Sequence, residues 1–93
     1  MTPEGKVKAA LKKYFKAQGW YYYMPIKKAM GVRTVDFLVC ANGRFFAIEA
    51  KSETGKLTKL QKKTLQDVIK AGGKCAVARP NDENDYGFRL EIL

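Results

Sequence analysis

Hydrophobic positions recur along the chain with two different periods. From Thr2 to Gly19 they fall at helical spacing, with Val7, Ala10, Leu11 and Tyr14 on one side and Lys6, Lys8, Lys12, Lys13 and Lys16 on the other. Thr2-Pro3-Glu4 supplies an N-cap, a proline at the first helical position and an acid in the first turn, and Gly19 stops the helix. Trp20 to Met24 predicts a first strand, ended by Pro25. From 33 to 51 the period becomes two. Two apolar runs flank Asn42-Gly43, which predicts a hairpin with a type I′ turn, because both central residues need a positive φ.

A two-residue turn fixes the register of everything beside it. Ala41 lies opposite Arg44, and the pairing, continued without a bulge, puts Asp36 opposite Glu49. Their Cβ atoms are then expected roughly 4.5–5.5 Å apart. Lys51 follows one step beyond on the same face. Val35, Phe37, Val39, Phe46, Ile48 and Ala50 make up the other face, which is apolar and predicts core. Two opposed carboxylates repel and weaken a sheet. A divalent cation removes that conflict, and Mg²⁺ suits it because it takes one or two carboxylates, keeps several waters and accepts substrate phosphate.

Ser52 to Lys56 predicts a loop. Thr58-Lys59-Leu60-Gln61 opens a second helix over 58–71, with Thr58 and Gln61 spaced as a capping box and Gly72-Gly73 at its end. Lys74 to Arg79 predicts a short strand, ended by Pro80. The strand from Arg44, this helix and this strand make a βαβ unit, so its two strands are expected to be parallel. Tyr86 to Leu93 stays open: Phe88, Leu90 and Ile92 alternate like a strand, and Gly87 disfavours a long helix. The expected fold is α/β. An N-terminal helix packs on a mixed sheet containing the central hairpin 33–51 and the crossover helix, in a single domain over 1–93.

The charge narrows the partner. Eighteen Lys and Arg against nine Asp and Glu give a formal +9 on 93 residues, which points to a polyanion, nucleic acid first and an anionic membrane surface second. Lys27, Lys28 and Arg33 flank Gly31 as candidate phosphate contacts, as do Lys56 and Lys59. The chain has no histidine, so any catalysis rests on carboxylates, Lys, Tyr, Cys or a metal. Cys40 and Cys75 are too few for a zinc site and are expected as buried free thiols. No apolar run is long enough to span a membrane and the N-terminus does not resemble a signal peptide, so an intracellular location is expected, the host cytoplasm if the chain is phage-encoded.

Asp36 followed by Glu49-Ala50-Lys51 resembles the PD-(D/E)XK nuclease superfamily. The fuller pattern is narrower: Glu4, Gly31 ahead of Asp36, Glu49-x-Lys51, then Gly55-Lys56-Leu57-Thr58-Lys59-Leu60-Gln61. It resembles the VRR-NUC family, the virus-type replication-repair nucleases, over nearly the whole chain. The spacer Val32 to Val35 is longer and more basic than the family's usual form, and the segment after Pro80 departs from the helix many members carry there. The resemblance implies a metal-dependent endonuclease for structured DNA such as four-way junctions, working as a homodimer with Mg²⁺ or Mn²⁺. It implies Asp36 and Glu49 as metal ligands, with the Ala50 carbonyl and Glu4 as further ones. Lys51 is implied to stabilise developing negative charge, and Gln61 to face the attacking water or the phosphate.

Each element also has an ordinary explanation. Glu49 and Lys51 could form a weak surface ion pair, Glu4 suits any helix N-terminus, and Gln61 could serve the capping box alone. Trp20 to Tyr23 could pack a core or stack on unpaired bases. Two other functions compete: a nuclease of the same superfamily acting on linear duplex DNA, and a non-catalytic basic nucleic-acid-binding module. The second does not require opposed carboxylates.

Overall fold

Thr2 and Gly19 bound the first helix as predicted. In a computed structural model describing residues 1–26 and 34–93, helix α1 runs Pro3–Gln18. The Thr2 hydroxyl accepts from Gly5 N–H, and Gly19 takes a left-handed φ of 72° that lets its N–H cap the last turn. Val7, Leu11 and Phe15 are its buried stripe. Strands β1 (Tyr21–Tyr23), β2 (Phe37–Ala41) and β3 (Arg44–Ala50) follow, then helix α2 (Lys59–Lys70), β4 (Lys74–Pro80) and β5 (Phe88–Ile92). The strands form one sheet in the order β1-β2-β3-β4-β5. Among the described strands only the β3–β4 pair is parallel, joined through α2 as the βαβ pattern predicts. The open C-terminal segment is therefore a strand, antiparallel to β4.

The hairpin turn has positive φ at Asn42 (52°) and Gly43 (79°), and it sets the expected register from Ala41↔Arg44 to Phe37↔Ile48. Helix α1 covers one face of the sheet, burying Phe37, Val39, Ile48, Ala50, Ala76 and Ala78. Helix α2 covers part of the other face through Leu65, against Val35, Ala47 and Cys75. Each large side chain so buried contributes about 1.5–3 kcal/mol, and truncating Leu11 to alanine would cost ~2–5 kcal/mol.

Three expectations change. The ladder of the hairpin begins at Phe37 rather than 33: Asp36 forms a bend, and residues 27–33, with Lys27, Lys28, Gly31 and Arg33, lie outside the described residues. Val35 does not share a face with Phe37, because the bend turns it into the α2-side cluster with Ala47 and Leu65. Cys40 is exposed. It pairs with Phe45 and Tyr21, both exposed.

Cys75, by contrast, is buried, and its Sγ donates to the Leu65 carbonyl at 3.3 Å. Burial pushes its pKa up, away from the reactive thiolate. A thiol-reactive chromophore at pH 8 should therefore modify Cys40 rapidly in the native protein and Cys75 only in denaturant. Cys40→Ser should abolish the fast phase.

Candidate active site

The bend at Asp36 has a specific hydrogen-bond consequence. In an antiparallel ladder, hydrogen-bonded pairs recur every second residue, so a continued hairpin would bond Ala50 N–H to the Val35 carbonyl. Instead Ala50 N–H donates to Asp36 Oδ2 at 2.9 Å, in a buried position. The Asp36 side chain thus takes the place of a backbone acceptor where the ladder stops. Strand geometry puts the Ala50 carbonyl on the same edge as its N–H, facing this carboxylate.

Asp36 and Glu49 are the two buried charged residues among those described. They approach the end of β3 from different sides. Asp36 Oδ1 meets Lys8 Nζ of α1 at 3.5 Å. Glu49 Oε1 accepts from Gln61 Nε2 at 3.3 Å, from the first turn of α2. The expected single face carrying both carboxylates is therefore replaced by a site held between two helices, as the bend requires.

Gln61 completes the capping box of α2 and also reaches the carboxylate of Glu49. Its Oε1 accepts from Thr58 N–H at 2.9 Å while its own N–H donates to Thr58 Oγ1 at 3.1 Å, completing the capping box. That box fixes the side-chain amide, and the remaining NH₂ reaches Glu49.

Lys51 is half-buried at the exit of β3, where its N–H donates to Ala78 O. The loop after it is tied down by two arginines. Arg79 Nη1 donates to the carbonyls of Ser52 and Gly55, both at 2.7 Å, and its Nε to Glu91 at 2.8 Å. Arg89 grips Glu53 through both carboxylate oxygens at 2.8 and 2.9 Å and donates to the Pro80 carbonyl. Gly55 sits close enough that a side chain there would press on Ser52 Oγ and touch Lys51 Cδ. The site's only lysine from the Glu-x-Lys motif is thereby bordered by a rigid loop. Lys56 and Lys59, beyond it, are exposed.

Glu4 does not join the carboxylates. It is exposed in the first turn of α1, and no three His, Cys, Asp or Glu among the described residues gather closely enough to hold one ion. The helix sends Lys8, one turn later, into the site instead. Two carboxylates still suffice for Mg²⁺ or Mn²⁺, which fill their remaining positions with water, a carbonyl and phosphate. Sequence reasoning missed Lys8, Arg79 and Arg89. Lys8 carried one cue, its place next to Val7 at the flank of the buried stripe. The arginines carried none, since their partners lie across β4–β5 and in the loop. The aromatic run divides: Trp20 and Tyr22 pack against the core, while Tyr21 and Tyr23 are exposed.

Two solved structures share this fold. One, described as a VRR_NUC domain, is 25% identical with a TM-score of 0.71, matched over 83% of this chain and 84% of that one. The other is Hjc, a Holliday junction resolvase from Archaeoglobus fulgidus, 14% identical with a TM-score of 0.71, matched over 95% of this chain and 75% of that one. The mixed five-stranded sheet with its two helices is the small nuclease fold of these structures. No family model and no curated protein matches the chain.

Hydrogen bonding to Arg89 is the main cause that holds the Glu53 carboxyl below its ordinary value of 4.5, with the nearby arginine charges adding to it. A depressed carboxyl pKa stabilises the fold above the unfolded value, and that contribution is lost as pH falls through the folded one. The latch on the loop should therefore persist at pH 4.5 and release below it. An NMR titration of the Glu53 carboxyl should give a midpoint under 4.5 that moves up in Arg89→Met. Gln61→Ala should also lower stability by about 1 kcal/mol in urea melts, through loss of half the capping box.

Proposed function

We propose that this chain, which belongs with the VRR-NUC and PD-(D/E)XK nucleases, is a Mg²⁺- or Mn²⁺-dependent endonuclease that hydrolyses phosphodiester bonds in branched DNA. One observation carries the reading: Glu49-Ala50-Lys51 ends β3 beside a bend that brings the buried Asp36 carboxylate onto Ala50 N–H. Burying two carboxylates is costly unless something positive is held there.

Asp36, Glu49 and the Ala50 carbonyl would hold the cation. When bound, it lowers the pKa of a water and neutralises charge on the phosphate. The chain's own groups do the rest. Gln61, fixed by its capping box, orients Glu49 and presents amide hydrogens beside it. Lys51 offers a positive charge to the phosphate as negative charge develops, which is worth more in a partly desolvated site. Lys8 pairs with the Asp36 carboxylate and helps to aim it. Lys27, Lys28, Arg33, Lys56 and Lys59 would contact the phosphate backbone and make binding strongly salt-dependent.

Selectivity for a branch would come from DNA shape rather than base edges, since phosphate contacts carry no sequence information. With one site per chain, cutting both strands of a junction symmetrically needs a two-fold dimer. The Hjc likeness supports the junction, because that protein is described as a Holliday junction resolvase.

A labelled four-way junction and its linear duplex arm test the reading side by side, with Mg²⁺, Mn²⁺ or EDTA. Metal-dependent cutting of the junction, with at least a 100-fold loss in Asp36→Asn, is expected (about 2.7 kcal/mol of barrier). Asparagine is the informative replacement because its carbonyl still accepts from Ala50 N–H, so the ladder end survives while the charge is lost. Equal cutting of the linear arm would move the target to duplex DNA. Binding without cutting under any metal would leave a basic binding module.

A further inference from the structure

Between the C-terminal half of α1 and strands β3 and β5 lies an apolar recess of about 160 Å³. Its walls include Tyr14, Trp20, Phe46, Tyr86, Phe88 and Leu90. Protein interiors hold few voids larger than a water molecule. An engineered apolar cavity of about 150 Å³ stays dry and binds benzene. This recess is of that size but opens to solvent, since Tyr86 and Leu90 on its wall are exposed. The candidate active site makes no use of it.

Tyr14 is the hub of the aromatic wall. Its ring meets those of Trp20, Tyr86 and Phe88 edge-on, with centroids 5.5, 5.2 and 5.5 Å away. Such contacts hold the rings at fixed angles to one another, so the wall is set before anything enters. Aromatic side chains bind unpaired bases by stacking, because every base has a π-face. A recess of the size that accepts benzene suits the single six-membered ring of a pyrimidine.

Cations border this wall. Lys74 is the ladder partner of Phe46, so both side chains leave the sheet on the same face. Arg44 lies two residues before Phe46 on β3 and shares that face. Both cations are exposed. Lys13 borders an adjoining hollow with Tyr14 and Tyr86, where Asp85 accompanies it. An apolar recess edged by cations matches a ligand that is planar, apolar on its faces and anionic at its side, which is the character of a nucleotide. The recess is also near the active site. Lys8 reaches Asp36, and Tyr14 follows on the same helix, about 9 Å further along its axis. That distance is roughly three nucleotides of strand.

We propose that this recess takes up one unpaired pyrimidine base of the bound DNA, stacked against Tyr14, Trp20 and Tyr86, with the adjoining phosphates on Lys74 and Arg44. This uptake rests on the reading that the chain acts on DNA, and it gives that reading a source of preference for branches. A blunt duplex holds every base in the stack, and extruding one has a cost that an already unpaired base avoids.

Trp20 is the chain's one tryptophan, so its fluorescence reports on the recess directly. Wild type in EDTA is titrated with a single-stranded oligothymidylate of about 12 nucleotides, a blunt duplex of equal length, and free thymidine monophosphate. The single strand should quench Trp20, while the duplex and the monophosphate leave it unchanged at the same concentration. Tyr86→Ala should weaken single-strand binding about tenfold and leave duplex binding as it was. Lys74→Glu, an exposed change that spares the wall, should weaken the single strand several-fold more than the duplex, and it decides if Tyr86→Ala fails to fold. Equal quenching by the duplex, or full single-strand affinity in these variants, would overturn the proposal. Quenching by the free monophosphate at the same concentration would place the recess outside the path of the DNA. Emission that shifts with protein concentration alone would give the recess to a second copy. Either result overturns the proposal too. Quenching is read without metal, so a protein that quenches but never cuts loses the nuclease reading alone. One that cuts without quenching loses only the base-binding recess.

Discussion

The site depends on one hydrogen bond, from Ala50 N–H to the Asp36 carboxylate. Its effect is topological as well as electrostatic. A ladder that continued to Val35 would consume both polar groups of Ala50 and point Asp36 along an unbroken strand. By ending the ladder with a side chain, the chain bends at Asp36, turns Val35 into the α2-side core and leaves a charged opening at the end of β3. The neighbouring parallel pairing with β4 holds β3 from the other side, so the opening has one rigid wall.

Two helices then complete it from opposite faces. Helix α1 contributes Lys8 to Asp36, and α2 contributes Gln61 to Glu49. Gln61 shows how a local rule can serve a distant site: the capping box that starts α2 also immobilises the amide that bonds Glu49. Arg79 and Arg89 do the corresponding work for the loop after Lys51, using carbonyls and Glu53 rather than the site itself. The consequence is a small, pre-arranged group of charges in a domain of net charge +9.

Much of this was legible because it is local. Thr2, Pro3 and Gly19 announce α1; Asn42-Gly43 fixes the turn and the register; Thr58 and Gln61 announce α2. Alternation failed where a side chain replaced a backbone partner. Nothing in the spacing of Val35, Asp36 and Phe37 distinguishes a continuing strand from a bend closed by aspartate, since both bury the same apolar residues. Cys40 was misplaced for a related reason: its strand is apolar, but its exposure depends on how far α2 extends across the sheet. Glu4 and Lys8 sit one helical turn apart, and only the packing of α1 decides which one reaches Asp36. The role of Arg79 depends on residues 12 and 24 to 27 positions away, beyond any local pattern.

The central claim is that Asp36 and Glu49 hold one divalent cation between them. Calorimetric titration of the DNA-free protein with Mn²⁺ tests it most directly, in wild type, Asp36→Asn and Glu49→Gln. The account predicts a single site in wild type that each substitution alone abolishes, with the fold retained. A site unaffected by either change, or no binding at millimolar Mn²⁺, would contradict it.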